Sequence, residues 1–314
     1  MIYSIWPSVR ALVDSAMKAP DFDAVKEKFG DKGHRIIEEA RDDWNRFTNS
    51  TSEFSGRRGT KGVVEDYEGP HEYEAKITGG IERQISSDEF FERKFSFVNR
   101  QTYGQRVDIP RFLAGDQRCW FATRKRRRKR LAVRVFAPIG GTSEVSSKMM
   151  AVCGALTCAV VEMLEAEGIA VELWAACCSE DVFCKIDYKQ TVGRRDLDIC
   201  QMVKLKDSSE YTDYGMVNYV TGNSQFYRNI MFKDRVKAGV NAAMCDGKFT
   251  YSGVGGSYDI EKEFLPTDES YDAKNDIIIN RKYSIDAAKK YVELMFKDGA
   301  ANAVGETSVY EEGR

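Results

Sequence analysis

The sequence predicts an α/β protein: a mostly parallel sheet flanked by helices, preceded by a helical N-terminal extension. Three stretches carry the prediction. "RLAVRVFAPI" alternates at the two-residue period of a strand. "KMMAVCGALTCAVVEMLEAEG" is a strongly apolar helix closed by Gly168, and "IAVELWAACCS" is a second apolar strand. Strand, long helix and strand in this order form a crossover unit, which joins parallel strands and lays helices over the sheet.

The elements follow in order. "SVRALVDSAMK" places Val9, Leu12, Val13 and Ala16 on one helical face. Ile36, Ile37, Ala40, Trp44 and Phe47 continue at helical spacing, with breaks expected at Gly30 and Gly33. "TNSTSEFSGRRGTKG" reads as a polar loop made basic by Arg57, Arg58 and Lys61, either simply solvated or an arm that contacts nucleic-acid phosphates. Gly79-Gly80 suits a hairpin turn, and Ser86 or Ser87 suits the cap of a short helix. A further helix is expected at "IPRFLAG", capped by Asp108 and ended by Gly115. After the crossover unit, "LDICQMVKLK" reads as a third strand. "YTDYGMVNYVTGNSQFYRNIMFKDRVKAG" reads as helix with a break at Gly222. "NDIIINR" is a short buried strand. "SIDAAKKYVELMFKDGA" is a helix capped by Ser284, with Ala287, Ala288, Tyr291, Val292 and Met295 on one side. The expected division is a mixed helical extension over residues 1–100 and an α/β core over 101–314.

Composition narrows the class. The 314 residues are 42% hydrophobic and 31% charged, enough apolar material for a sizeable core, and the net charge is -2. The longest apolar stretch, "MMAVCGALTCAVV", has about 13 residues against the ~20 a membrane span needs. No charged segment precedes an apolar block in the first residues, so no secretory signal is expected. Eight cysteines without a CxxC pair, and two histidines upstream of all of them, argue for buried reduced thiols rather than zinc ligands. The expectation is a cytoplasmic protein without a cofactor and without a membrane partner.

Three patterns bear on function. Seven consecutive cations, Arg124, Lys125, Arg126, Arg127, Arg128, Lys129 and Arg130, lead into the first core strand. Like charges at this density repel unless an anionic surface or solvent meets them. Nucleic-acid phosphates are one such surface, with Trp120 and Phe121 close enough in sequence to stack on bases. The other is an acidic protein surface, either a partner or a second copy of this chain. Secondly, Asp196 and Asp198 in "RRDLDIC" share a strand face by the two-residue period, and paired acids can hold Mg²⁺ for phosphodiester cleavage. Thirdly, "APIGGTSEVSSK" sits between strand and helix, where helix N-termini bind anions, but follows neither common phosphate-loop pattern. No Ser-His-Asp or Cys-His arrangement is readable.

From Leu131 to Ser179 the strand, loop, long helix and second strand resemble the opening of a von Willebrand factor A-like domain. That resemblance implies a metal-site loop of the form Asp-x-Ser-x-Ser after the first strand. Ala137 stands about where the aspartate belongs, while Thr142, Ser143 and Ser146 supply hydroxyls. A hydroxyl-only loop lacks the anionic ligand a hard cation requires, so the implied metal site is degenerate. "VDIPRFLAG" followed by a cysteine, the basic strand and the long helix is similar to an uncharacterised family of phage and prophage proteins, departing from its pattern at "DQRCW". This resemblance implies a virus-encoded intracellular protein and no catalytic motif. Together the readings favour a binding protein, with a metal-dependent nuclease and an oligomeric scaffold as alternatives.

Overall fold

The computed structural model describes residues 2–49, 63–64, 97–101, 106–107, 120–123, 132–140, 145–179, 183–185, 198–246, 249–251, 256–265 and 276–296. The chain opens with strand β1 (Ile2–Trp6), then helices α1 (Val9–Ala16) and α2 (Phe22–Asn49). Strands β2 (Phe97–Gln101), β3 (Arg106–Val107) and β4 (Trp120–Thr123) come next. After them come β5 (Ala132–Pro138), α3 (Ser147–Ala166), β6 (Ala170–Ser179), β7 (Phe183–Lys185) and β8 (Ile199–Lys206). Helix α4 (Tyr214–Gly222) precedes a continuous helical run: α5 (Ser224–Phe226), a π-helical stretch Tyr227–Met231, and α6 (Phe232–Asp246). Strands β9 (Phe249–Tyr251), β10 (Ser257–Tyr258) and β11 (Ile277–Ile278) and helix α7 (Ile285–Met295) complete the order.

The chain forms two compact units, one of residues 1–85 and 131–314, the other of residues 86–130. The larger is α/β. Its mixed, mostly parallel sheet runs β1-β8-β6-β5-β11, with β10 added to β6. β5 and β6 are parallel from Ala132 opposite Ala170 to Pro138 opposite Ala176, as the crossover through α3 demands. β8 is antiparallel to β6, and β11 and β1 run parallel to β5 and β8. β7 and β9 form a separate antiparallel pair. The smaller unit is a three-stranded antiparallel sheet of order β2-β4-β3.

Local sequence explains the crossover helix. Ser146 caps α3 by accepting from the Met149 N–H. At the other end Gly168 takes a φ of 84°, and Gly168 and Ile169 donate to the Glu165 and Leu164 carbonyls. That closes the exposed carbonyls of the last turn in a left-handed cap. By length and composition α3 could cross a membrane, but 72% of its most apolar stretch is buried inside the protein. It crosses α4 so closely that a Cβ on Gly154 would stand 2.9 Å from the Gly222 Cα. Gly222 does end α4, and it is Gly154 that the close approach requires, since a Cβ on Gly222 would meet its neighbours at 3.4 Å or more.

Gly30 breaks α2 with φ 57° and ψ -140°, whereas the helix continues through Gly33. α1 and α2 share one hydrophobic cluster with the sheet and with α5–α6: Leu12, Val13, Ala40 and Phe47 lie in it beside Ile199, Val203 and Tyr227. β1 is an element the sequence does not predict; "IYSIW" alternates, but five residues carry little strand signal by themselves. Ser284 caps α7 as expected, and Ala288 and Val292 are buried, but Ala287 points to solvent, so the buried face is narrower than predicted. The hairpin at Gly79-Gly80, the helix after Ser86 and the helix capped by Asp108 fall outside the described residues.

Candidate functional site

The basic segment 124–130 lies outside the described residues, but its covalent position is defined. β4 ends at Thr123 and β5 begins at Ala132, so the seven cations join the last strand of the small sheet to the first core strand of the larger unit. Trp120 opens β4, at register positions opposite Gln101 and Val107. Arg57, Arg58, Lys61 and Asp196 lie outside the described residues. Asp198 immediately precedes β8, is 5% exposed, and accepts a hydrogen bond from the Tyr258 hydroxyl at 2.7 Å. Burial, then the Asp198 bond, pushes the Tyr258 hydroxyl pKa up. Two further acids at strand ends, Asp207 and Asp276, are engaged elsewhere. Asp207 is exposed at the far end of β8 and accepts from Lys204 at 2.8 Å. Asp276 forms a buried bidentate pair with Arg134, at 2.8 and 2.6 Å. Among the described residues no group of three or more His, Cys, Asp or Glu could hold a metal ion.

Cysteines 153, 158, 177, 178 and 200 are buried thiols outside any disulfide, as the sequence suggests. Burial raises the Cys153 thiol to about 11 and also raises Cys177. A hydrogen bond with Cys178, then burial, raises Cys200. These thiols are therefore poor nucleophiles at neutral pH.

The largest concentration of buried charge is one the sequence reading missed. Lys233, Asp234 and Arg235 are consecutive in α6 and 2%, 2% and 0% exposed. Asp234 accepts from Ser4 Oγ at 2.9 Å, from Trp6 Nε1 at 2.9 Å and from Gln201 Nε2 at 2.5 Å. Arg235 donates to Gln201 Oε1 at 2.5 Å, to the Tyr227 hydroxyl at 2.8 Å and to Cys177 Sγ at 3.4 Å. The Gln201 amide thus links carboxylate and guanidinium, and Ser4 and Trp6 tie β1 to the same point. Burial raises the Asp234 pKa, while its three donors work against that shift. Lys233 lies over the Trp44 ring at 4.5 Å, and burial lowers its pKa to about 8. A signal was present: Tyr227, Met231 and Arg235 recur at four-residue spacing, which puts Arg235 on an apolar face. A reader applying a uniform 3.6-residue period would still misplace it, because the π-helical stretch shifts the phase of everything after it.

Comparison with known families identifies one. The family model for DUF7192, a domain of unknown function, matches residues 3–300. The chain belongs to that family, and the match takes in β1, the small sheet and α7 alike. No curated protein and no solved structure matches it.

Proposed function

We propose that this protein is a non-enzymatic binding protein that contacts nucleic acid through Arg124–Arg130. The observation that carries the reading is the seven-cation run itself, joining two compact units whose strands end and begin on either side of it. A strand needs no such run to fold, so a partner of opposite charge is its simplest use. The larger unit is taken as a von Willebrand factor A-like core with a degenerate metal site and a helical extension packed on it. The parallel β5–β6 pair joined by α3 supports the core, and the buried Ala137, which brings no carboxylate to the expected aspartate position, supports the degenerate site. A virus-encoded intracellular origin belongs to the same reading. The nuclease alternative would have to draw Asp198 away from Tyr258, which makes it the weaker one.

Labelled single- and double-stranded oligonucleotides titrated across a salt series test the proposal. Binding should weaken steeply with salt. Arg126→Ala/Arg127→Ala/Arg128→Ala should flatten the log–log slope by about 2–3, since each phosphate contact contributes ~0.7–0.9. Binding that is absent, or unmoved by salt and by the variant, would sink the reading. Supercoiled plasmid with Mg²⁺ or Mn²⁺ should remain intact.

A second reading, assembly with a protein partner or another copy, is favoured by β1. It ends the strand order of the sheet and exposes Tyr3 (46%) and Ile5 (44%). Such uncharged edges pair readily with other chains. Mass measurement in solution, repeated with Tyr3→Lys/Ile5→Lys, distinguishes a dimer through this edge from a monomer.

A further inference from the structure

We propose that Cys178 and Cys200 are a peroxide-sensitive pair, closing into a cross-strand disulfide when the edge strand β1 opens beside them. Register places four chemically active side chains in one row across the sheet. Tyr258 of β10 stands opposite Cys178 of β6, Cys178 opposite Cys200 of β8, and Cys200 opposite Tyr3 of β1. Paired positions point to the same face of a sheet. Cys178 and Cys200 accordingly share one apolar cluster with Tyr258 packed against it, whereas Cys177 belongs to the cluster on the other face.

The two thiols are placed to join. Directly opposite residues of an antiparallel pair have Cα atoms about 4.5–5.5 Å apart, inside the roughly 4.4–6.8 Å that a disulfide spans. Cys178 and Cys200 already meet through a hydrogen bond between their side chains. No other cysteine is so placed on these strands. Cys177 faces Gln201 in the register, and its sulfur accepts from Arg235.

A buried thiol reacts only where a base takes its proton and an oxidant arrives. The row supplies the base at one end. The Tyr258 hydroxyl donates to Asp198 at 2.7 Å and is also hydrogen-bonded to Cys178. With the phenol proton directed at Asp198, the phenol oxygen accepts from Cys178, and the Cys178 sulfur accepts from Cys200. A carboxylate thus ends a chain of three hydrogen bonds that begins at Cys200. Access lies at the other end of the row. Both thiols are fully buried, but Tyr3, beside Cys200, is 46% exposed on the strand that ends the sheet order. Apart from its ladder with β8, β1 is held by Ser4 and Trp6 through their bonds to Asp234. Such an edge opens at a fraction of the cost of global unfolding, and hydrogen peroxide is small enough to enter there.

The chemistry balances. The Cys178 proton passes through Tyr258 to Asp198, and the thiolate attacks one peroxide oxygen. The O–O bond breaks, Cys178 becomes a sulfenic acid, and the departing hydroxide takes the proton back as water. The Cys200 sulfur then attacks the Cys178 sulfur. The S–O bond breaks, and the hydroxyl leaves as water with the Cys200 proton. Two thiols and one peroxide give one disulfide and two waters, with sulfur oxidised and peroxide oxygen reduced.

Treating the full chain with hydrogen peroxide, then digesting it without reductant and mapping the peptides by mass, tests this. One linked pair joining the Cys178 and Cys200 peptides is expected, with an intact mass lower by two hydrogens and full reversal by dithiothreitol. Cys177→Ser should form the same link, which separates the two adjacent cysteines. Cys200→Ala should leave a sulfenic acid on Cys178 that dimedone captures, because the resolving thiol is gone. Ser4→Ala, which removes a hydrogen bond to a charged group from β1, should speed closure about tenfold. The map of the parent chain needs no variant to fold. The proposal is overturned if both thiols stay reduced, if either pairs with a different cysteine, or if Ser4→Ala closes no faster than the parent.

Discussion

Two of the places where the larger unit buries charge are built in different ways. Arg134 and Asp276 meet directly: one guanidinium, one carboxylate, two short bonds, at neighbouring positions of the parallel strands β5 and β11. Asp234 and Arg235 are adjacent in α6 and reach in divergent directions, to β1 and to β6, with the Gln201 amide serving both. In a direct pair each charge meets its counter-charge at once, so the two can be replaced as a unit. A network routed through an amide commits β1, β6, β8 and α6 to one arrangement, so it acts on the placement of elements as well as on their stability.

The largest expected effect is at the centre of the network. Arg235→Ala should cost about 3–5 kcal/mol in denaturant unfolding, the usual result of removing one partner from a buried charge pair. A loss near 1 kcal/mol would show that water or another donor replaces the guanidinium. Gln201→Leu should come next, at about 1–3 kcal/mol for each polar group left without its bond. It should also release β1, seen as faster hydrogen exchange at residues 2–6 than at β6. If β1 stays protected, Ser4 and Trp6 hold it without the amide. For the direct pair, Arg134→Met/Asp276→Leu together should change stability by roughly 1 kcal/mol or less, although either single change costs about 3–5. A double variant as costly as the singles would mean that Arg134 belongs to a wider network after all.

The smallest effect concerns Lys233 beside the network. Its pKa falls from the usual 10.5 to about 8 on folding, because burial disfavours the charged form. Between these values the unfolded chain binds more protons than the folded one, so this residue makes stability rise with pH from about 8 to 10.5. Cys153, raised to about 11, acts oppositely above the usual thiol pKa. The signature is therefore a difference: Lys233→Met should remove the rising component and leave the Cys153 component in place. Identical pH profiles for parent and variant would place Lys233 in solvent.

Much of the fold was legible because it depends on short-range pattern. The crossover unit, the Ser284 cap, the Gly168 stop and the break near Gly222 all express local backbone rules that hold wherever the segment lies. The antiparallel course of β8 was not legible, since the direction of a strand depends on where the chain re-enters the sheet. β1 was missed because five alternating residues signal little until a neighbour such as β8 pairs with them. Of the candidate site residues, Asp198 was correctly set at a strand start, but Tyr258, its partner 60 residues away, could be found only in three dimensions.

The sequence by itself determined the class of the fold, the reduced and buried state of the described cysteines, and a seven-cation run that burial does not explain. Each follows from composition or from a period of two to four residues, which neighbouring atoms enforce. Only the tertiary structure decided that Lys233, Asp234 and Arg235 are interior, that Asp276 belongs to Arg134, and that Arg281 holds the carbonyl of Ser257, the residue paired with Ser179. The reason is the cost of burying charge. A charged residue goes inside only where partners from distant segments converge on it, and that convergence is a property of the folded chain.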